Sequence, residues 1–231
     1  MHTKPLVVGL SAVTLTVALA GCGATKTETK PETAGATTSV AAEASSSALA
    51  VPDLPAGPNT TIADYVAENK IIESAVQQGD PDAPTFDFPI PPDWTPAGAR
   101  KPEWAYGAII YDKAKDPADP PFMTAIVNKL TGDVEAAKIL QYAPGLLQNL
   151  PGYQPSGEVQ KTTLSGFDGI VFEGSYLRDD VRRYIAQLTA VVPGADGALF
   201  VLQLNADAPE DQAQVIRDAA TVIRADTTIT A

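Results

Sequence analysis

A short apolar run that ends near the sole cysteine most constrains this chain, because it removes the first segment from any globular fold. Leu6 to Leu19 contains no charged residue, follows a weakly basic start that includes Lys4, and leads through two small residues to Cys22. A membrane-spanning helix needs roughly 20 apolar residues, so this run is too short to span comfortably. Its basic, apolar and small-residue order is that of a secretory signal peptide. We therefore predict that residues 1–21 are a signal peptide.

The residues that end this run resemble a lipid-attachment signal. The tetrapeptide Leu19-Ala20-Gly21-Cys22 is similar to the lipobox of bacterial lipoproteins. That resemblance implies cleavage before Cys22, a thioether-linked diacylglyceryl group on its sulfur and an acyl chain on its amine. Two or more acyl chains hold a protein stably at a membrane, whereas one holds it only marginally. We predict that Cys22 is a membrane anchor; the alternative is an ordinary secreted protein with a cysteine near its cleavage site.

The segment after the cysteine lacks the residues that build a core. Residues 22–58 are rich in Ala, Thr, Ser, Glu and Pro and contain no aromatic side chain. Such a segment cannot bury enough apolar surface to offset its loss of conformational entropy. We predict a tether here, with a reach of about 30–35 Å as a flexible coil. Residues 59–231 are then long enough for a single globular domain with a real core.

Several classes of chemistry are excluded by what the mature chain would lack. The only histidine, His2, lies in the leader, so a Ser-His-Asp triad, a Cys-His pair and a His-ligated zinc site cannot form. Removing residues 1–21 takes away one of the 16 basic residues and no acid, which leaves 15 basic against 28 acidic residues and a net charge of −13. That charge disfavours nucleic acid. The absence of histidine agrees with the prediction of a non-enzyme without metal or cofactor, although it does not exclude every catalytic arrangement.

Three catalytic arrangements survive that elimination: paired carboxylates as in glycan hydrolases, an all-oxygen metal site, and a Ser-Lys pair. The acidic clusters Asp80-Pro81-Asp82 and Asp116-Pro117-Ala118-Asp119 are interrupted by proline, which is typical of turns. Neither has the glycine or the final glutamate of a calcium loop.

The hydrophobic pattern of residues 59–231 changes between the period of two that is typical of strands and the period of about 3.6 that is typical of helices. Strands are predicted over residues 71–76, 85–90, 104–111, 122–130, 167–177, 182–192 and 198–205, the last apolar on both faces and therefore central. A first helix, capped by Thr60 or Thr61, has Ile62, Tyr65 and Val66 on one face. Later helical stripes comprise Val134, Ala137, Leu140 and Ala143, broken at Pro144-Gly145, and then Gln212, Val215, Ala219, Val222 and Ile223 after a start at Pro209. This order predicts an α+β fold: an α/β/α sandwich with one mainly antiparallel sheet flanked by helices.

Several long segments together resemble a known family. They are "GPNTTIADYVAENKI", "GDPDAPTFDFPIPPDW", "DPADPP", "NKLTGDVEAAKILQYAPGLLQNLPGY", "GALFVLQLNADA" and the closing "TTIT". On these the chain resembles the mycobacterial LpqN/LpqT lipoprotein family and, through it, PsbP-like sandwiches. The resemblance implies a lipid-anchored envelope protein on the outer face of the inner membrane. It also implies a part in mycolate and trehalose-glycolipid traffic, through MmpL-type exporters and glycolipid binding.

Aromatic side chains near loop ends are the natural contacts for a sugar or an acyl chain, because their flat faces suit both. The candidates are Trp94, Trp104, Tyr106, Tyr111, Phe122, Tyr142 and Tyr153. The alternative is that each of them fills the core. The loop "TPAGARKPE" between the two tryptophans brings Arg100 and Lys101 into an acidic protein and is the best single contact candidate. Arg182-Arg183 is instead expected to pair with Asp179-Asp180 across a hairpin.

Two functions of different class follow from this. A carrier would hold an acyl-bearing glycolipid between sheet and helix and would need an apolar cavity on the order of 300–1,000 Å³. A pure protein-interaction adaptor would have a filled core and an exposed apolar patch. A carboxylate-based glycan hydrolase, the remote third possibility, would need two carboxylates about 5–10 Å apart in a groove.

Overall fold

The computed structural model describes residues 57–231, with the exception of the side chain of Asp196. The predicted signal peptide, the lipobox with Cys22 and the predicted tether up to residue 56 lie outside the described residues.

The described chain contains a large sheet, a small sheet and four α-helices. The strands are β1 Ile72–Ala75, β2 Thr85–Asp87, β3 Trp94–Pro96, β4 Gly107–Tyr111, β5 Phe122–Thr131, β6 Gln154–Pro155, β7 Gln160–Leu164, β8 Phe167–Arg178, β9 Val181–Pro193, β10 Leu199–Pro209 and β11 Thr228–Thr230. The helices are α1 Ile62–Glu68, α2 Ala136–Tyr142, α3 Gly145–Gln148 and α4 Ala213–Asp226. Short 3₁₀ turns lie at Gly98–Arg100, Ala195–Gly197 and Glu210–Gln212.

The large sheet has nine antiparallel strands in the order β3-β4-β5-β10-β9-β8-β6, with β1 beside β5 and β7 beside β8. The separate pair β2–β11 joins the segment after residue 84 to the C-terminus. Strand β10 lies between β5 and β9, which agrees with the prediction that residues 198–205 are central. Because β4 and β1 share one edge of β5, that edge changes partner near Ile126.

Helices cover both faces of this sheet. Along each strand alternate side chains point to opposite faces, and the core divides accordingly. On one face Leu130, Val191 and Val201 pack against α1 and α2, which contribute Tyr65 and Ile139. On the other face Ala206, Ala208 and Met123 pack against α4 through Ile216. The α+β prediction with a large antiparallel sheet is confirmed, while the PsbP-like detail stays a prediction.

Local chemistry explains where the helices beside the first face begin and end. Thr61 caps α1 with a reciprocal capping box: its hydroxyl accepts from the backbone N–H of Asp64, whose carboxylate accepts from the backbone N–H of Thr61 at 2.8 Å. Helix α2 ends before Pro144, and α3 begins directly after it, as the sequence predicted. The path from α2 to α3 bends at this point and leaves a space between the helices and the sheet.

The structure corrects four details of the sequence analysis. Strand β4 begins at residue 107 rather than 104, because the chain turns from Pro102 to Ala105. Strand β2 ends at residue 87, before the proline-rich stretch that cannot donate ladder hydrogen bonds. Ala137 is exposed and Ile139 is buried, because α2 starts only after Glu135. In α4 the buried position missed by the stripe is Ile216.

Candidate functional site

A groove of about 330 Å³ lies between the first three helices and the face of the large sheet that α1 and α2 cover. Its floor comes from β1, β5 and β10, whose inward residues stand directly opposite one another: Glu73 faces Leu130, Ala75 faces Asn128, and Val201 faces Asn128 from the other side. The remaining floor residues are Ile126 and Gln203, which are also paired. The groove therefore exists because three adjacent strands present one continuous face.

The walls of the groove come from the ends of helices. Thr61, Ile62 and Ala63 at the start of α1 form one wall, and Ala143 and Leu146 at the bend between α2 and α3 form another. Trp104 lies at the rim, just before β4, and its side chain is half-buried. Most of these side chains are apolar, so the groove offers an apolar lining with polar groups at a few points, which is typical of ligand sites.

The polar groups of the floor form a small hydrogen-bonding set. The Asn128 amide Nδ2 donates to Glu73 Oε1 at 2.6 Å. Burial raises the pKa of the Glu73 carboxyl above its ordinary value of 4.5, although the hydrogen bond from Asn128 opposes that shift. A carboxylate and amides in an apolar groove can bind the hydroxyl groups of a neutral ligand, since each hydroxyl both donates and accepts.

The described chain enters the domain beside this groove. Asn59 and Asn149, at the end of α3, form a clasp of three hydrogen bonds: the backbone N–H and the Nδ2 of Asn59 donate to Asn149 Oδ1 at 3.0 Å, and Asn149 Nδ2 donates to the Asn59 carbonyl at 2.8 Å. Two residues further on, Thr61 lines the groove. The clasp therefore fixes the N-terminal entry of the domain next to the groove wall.

The aromatic contact residues proposed from the sequence lie in different parts of the structure. Of these, Trp104 lines the groove. Trp94 and Tyr106 are core residues with exposed fractions of 4% and 5%. The half-buried remainder packs elsewhere: Tyr111 against Trp94 at 5.6 Å between ring centroids, Tyr142 against Tyr65 at 5.7 Å, Tyr153 beside α3, and Phe122 at the start of β5.

The loop "TPAGARKPE" does not present its two cations together. Arg100 is exposed and lies 3.5 Å from the carbonyls of Pro117 and Ala118. Lys101 Nζ donates to the Ala105 carbonyl at 2.7 Å and so closes the turn before β4. As a contact surface for a ligand or partner, this loop stays a prediction.

One predicted pairing is wrong. Arg183 does not pair with Asp179 or Asp180 across the hairpin; its side chain, 3% exposed, lies between Asp119 and Asp207. Asp119 belongs to the acidic proline-rich turn, so that cluster anchors a loop by an ion pair. Burial, reinforced by the charge and hydrogen bond of Asp207, raises the pKa of the neighbouring Tyr176 to about 12. This network lies beyond the groove and none of its members lines it.

Most residues of the groove floor were not predicted from the sequence. Asn128 and Gln203 were passed over inside apolar strands, although a polar side chain at an inward position is the signal that could have found them. Glu73 was likewise passed over in β1. Among residues 57–231 no group of three or more acidic, cysteine or histidine side chains is arranged to hold a metal ion. No helix within that part of the chain combines the length and apolarity that crossing a bilayer requires.

Comparison with known proteins identifies the family. The family profile described as "Probable lipoprotein LpqN" matches residues 58–230, which is the whole described domain apart from its terminal residues. The chain belongs to the LpqN lipoprotein family. It is 46% identical over 230 residues to "Lipoprotein LpqN" of Mycobacterium tuberculosis strain H37Rv, with 98% of this chain and 99% of that protein covered.

A solved structure of a family member agrees with the fold. The crystal structure of LpqN described as "involved in cell envelope biogenesis of Mycobacterium tuberculosis" superposes with a TM-score of 0.71 at 50% identity, covering 76% of this chain and 100% of that one. The resemblance inferred from the sequence is thereby confirmed. The LpqN family is a lipoprotein family, which supports a membrane-anchored place in the cell envelope for this member.

Proposed function

We propose that this lipoprotein is a non-enzymatic accessory of glycolipid export, which holds the acyl part of a trehalose-type glycolipid in the groove between sheet and helices. The single observation that carries this proposal is the apolar groove of about 330 Å³. That volume falls within the range on the order of 300–1,000 Å³ that a carrier requires. The alternative is a pure protein-interaction adaptor with a filled core. Such a protein does not require an apolar groove.

The lining chemistry favours an uncharged amphiphile. Apolar side chains from Ile62, Leu146 and Val201 suit an acyl chain, while Glu73 and Asn128 lie where hydroxyl groups could bond. A sugar head fits this division because it combines many hydroxyls with no charge. The half-buried Trp104 at the rim supplies an indole face of the kind that stacks on sugars.

The groove does not favour the glycan-hydrolase alternative. Glu73 is the one carboxyl-bearing residue among the described residues that line it. Both stereochemical routes of glycoside hydrolysis need a second carboxylate about 5–10 Å away. We therefore assign Glu73 a binding role in this proposal.

The test uses the mature chain from residue 22 with Cys22→Ala, which removes the anchor but keeps every described residue. After incubation with trehalose monomycolate and gel filtration, we expect mass spectrometry of an organic extract to recover about one lipid per protein. Ala75→Phe should lower that recovery at least about tenfold, because its ring would occupy the groove floor at the cost of the apolar burial that holds the chain. Ser74→Phe, the exposed neighbour on the opposite face of β1, is the matched control and should bind normally.

Two outcomes would remove the carrier proposal: no stoichiometric lipid with the unmodified groove, or equal recovery from both phenylalanine variants. The first would favour the adaptor. In that case the MmpL-type partner implied by the family resemblance would be sought directly, by pull-down of an exporter's extracytoplasmic domain with this chain.

The attachment to the membrane rests on Cys22. With two or more acyl chains on this residue, the protein should sediment with the inner membrane and be degraded by a protease added from the outer side of that membrane. We expect Cys22→Ala to move it essentially completely to the soluble fraction of the envelope, as measured by fractionation and immunoblotting. Ser47→Ala, in the predicted tether, should leave the distribution unchanged. Persistent sedimentation of the alanine variant would mean a second attachment.

A further inference from the structure

A second cleft, of about 240 Å³, lies on the opposite face of the large sheet from the groove. Its floor is made by β4 and β5, with Gly107 directly opposite Ala125 and Met123 beside them. Strand β2 and the residues that follow it cross over this floor and form the roof. Because the sheet separates the cleft from the groove, the two spaces can bind ligands independently.

Aromatic side chains form the roof of the cleft, and both ring packing and strand pairing hold them in place. Phe86 and Phe88 alternate along the same extended segment and stack with 6.3 Å between ring centroids. Tyr106 meets both rings edge-on, at 5.5 and 6.2 Å. The segment itself is fixed by β11, in which Ile229 pairs with Phe86. Because the roof is fixed in this way, the cleft is open without a ligand. Binding would therefore cost little conformational entropy.

The polar groups of this cleft indicate the charge of its occupant. Its described lining includes one acid, Asp87, and no lysine or arginine. Asp87 is exposed at the rim. A carboxylate or sulfate head placed here would face a like charge with no cation to balance it. The exposed Ile90, with half of its surface in solvent, extends the apolar lining to the outside.

We propose that this cleft binds the aliphatic chain of an uncharged, single-chain amphiphile, such as a long-chain alcohol or an acyl ester. Its volume is below that of a site for a whole lipid but is sufficient for one chain. Met123 gives the floor a flexible, polarizable side chain that adapts to chains of different length. This site goes beyond the proposed function and does not depend on it.

The chain offers a separate reporter for each space. Of its two methionines, Met1 lies in the leader, so Met123 is the only methionine of the mature chain. The test uses the mature Cys22→Ala chain, cut from an N-terminal tag and labelled with methyl-¹³C methionine and ¹⁵N tryptophan. The methyl signal of Met123 then reports on the cleft, and the indole N–H signal of Trp104 reports on the groove.

Titration with alkan-1-ols of eight to eleven carbons should shift the Met123 signal saturably, with an affinity that rises about fourfold per added methylene. Decanoate at pH 8 should bind at least about tenfold more weakly than decan-1-ol. Gly107→Leu should weaken decan-1-ol at least about tenfold, because an added Cβ there meets no atom within 4 Å and its side chain shares the face of Ala125. Gly157→Leu, also open to a side chain, is the matched control and should bind normally.

The proposal is overturned if Met123 shows no saturable shift, if decanoate binds as well as the alcohol, or if a folded Gly107→Leu retains full affinity. The chain-length and charge series use the unsubstituted cleft, so they decide the matter even if that variant does not fold. A response confined to Trp104 would overturn this site and leave the groove proposal standing. A response of Met123 with no lipid retained in the groove would do the reverse.

Discussion

Arg183→Ala should lower the free energy of unfolding by about 3 kcal/mol, because it removes the buried cation between two carboxylates and leaves only the exposed Arg178 beside them. Arg183 Nε donates to Asp207 Oδ1 at 2.9 Å, and its terminal nitrogens bond Asp207 and Asp119, the latter at 2.5 Å. The arginine side chain is 3% exposed, whereas those of Asp207 and Asp119 are 24% and 41% exposed. Solvent at the two acids places the loss at the low end of the range for broken buried pairs.

Chemical denaturation at neutral pH measures this loss, and a thermal scan should show Tm lower by roughly 6–12 °C. Arg178→Ala is the matched control, since Arg178 bonds the same two acids from the exposed side of the network, and it should cost less than about 1 kcal/mol. Equal losses in the two variants would mean that burial of Arg183 does not matter.

The same network predicts a pH dependence. Burial by itself would raise the pKa of Asp119, but the hydrogen bond and charge of Arg183, together with those of Arg178, lower it below its ordinary value of 3.8. A carboxyl whose folded-state pKa is lowered adds stability that is complete above its unfolded pKa. The Asp119 share of the stabilisation should therefore be intact at neutral pH and be lost as the pH falls below 3.8. If the difference in unfolding free energy between wild type and Arg183→Ala increased as the pH was lowered, this assignment would be contradicted.

Gly145→Ala should destabilise the domain by about 2–3 kcal/mol and also impair the groove, because the first residue of α3 has no room for a side chain. An added Cβ would overlap the backbone carbonyl of Thr60 and come within 2.8 Å of its carbonyl carbon. Backbone atoms at this position can yield only if the segment before α1 moves. That segment continues directly into Thr61 and Ile62, which form a wall of the groove.

Thermal denaturation should show Tm lower by roughly 5–10 °C for Gly145→Ala. Lipid retention, measured as for the groove variants, should fall in the same protein below its melting temperature. Gly157→Ala is the control, since its added Cβ enters open space, and it should change the unfolding free energy by less than about 0.5 kcal/mol. Wild-type stability in Gly145→Ala would show that the approach of α3 to Thr60 is loose.

Features of the fold that depend on neighbouring residues were predictable from the sequence. The cap of α1, at Thr60 or Thr61, and the break at Pro144 were predicted because each depends on residues a few positions apart; the structure places the cap at Thr61. The central place of β10 was predicted because an apolar strand on both faces must be covered on both. The family was recognised because the similarity extends over nearly the whole domain.

The candidate site could not be predicted from the sequence in the same way. The groove floor combines Glu73 from β1 with Asn128 from β5, 55 residues apart in sequence, and a polar residue in a strand does not indicate which strands will flank it. Trp104 was proposed along with eight other residues, and nothing local distinguished it from Trp94, which is in the core. Arg183 was assigned to nearby acids, whereas its actual partners Asp119 and Asp207 are 64 and 24 residues away.

The sequence by itself predicts the leader and the anchor at Cys22, and it determined the acidic composition and the α+β class, because composition and short-range periodicity carry each of these. The tertiary structure alone decided which face of the sheet holds the groove, which polar groups enter it, and which arginine is buried. Those features depend on strand order and register, since a side chain acquires its neighbours only when strands far apart in sequence are paired.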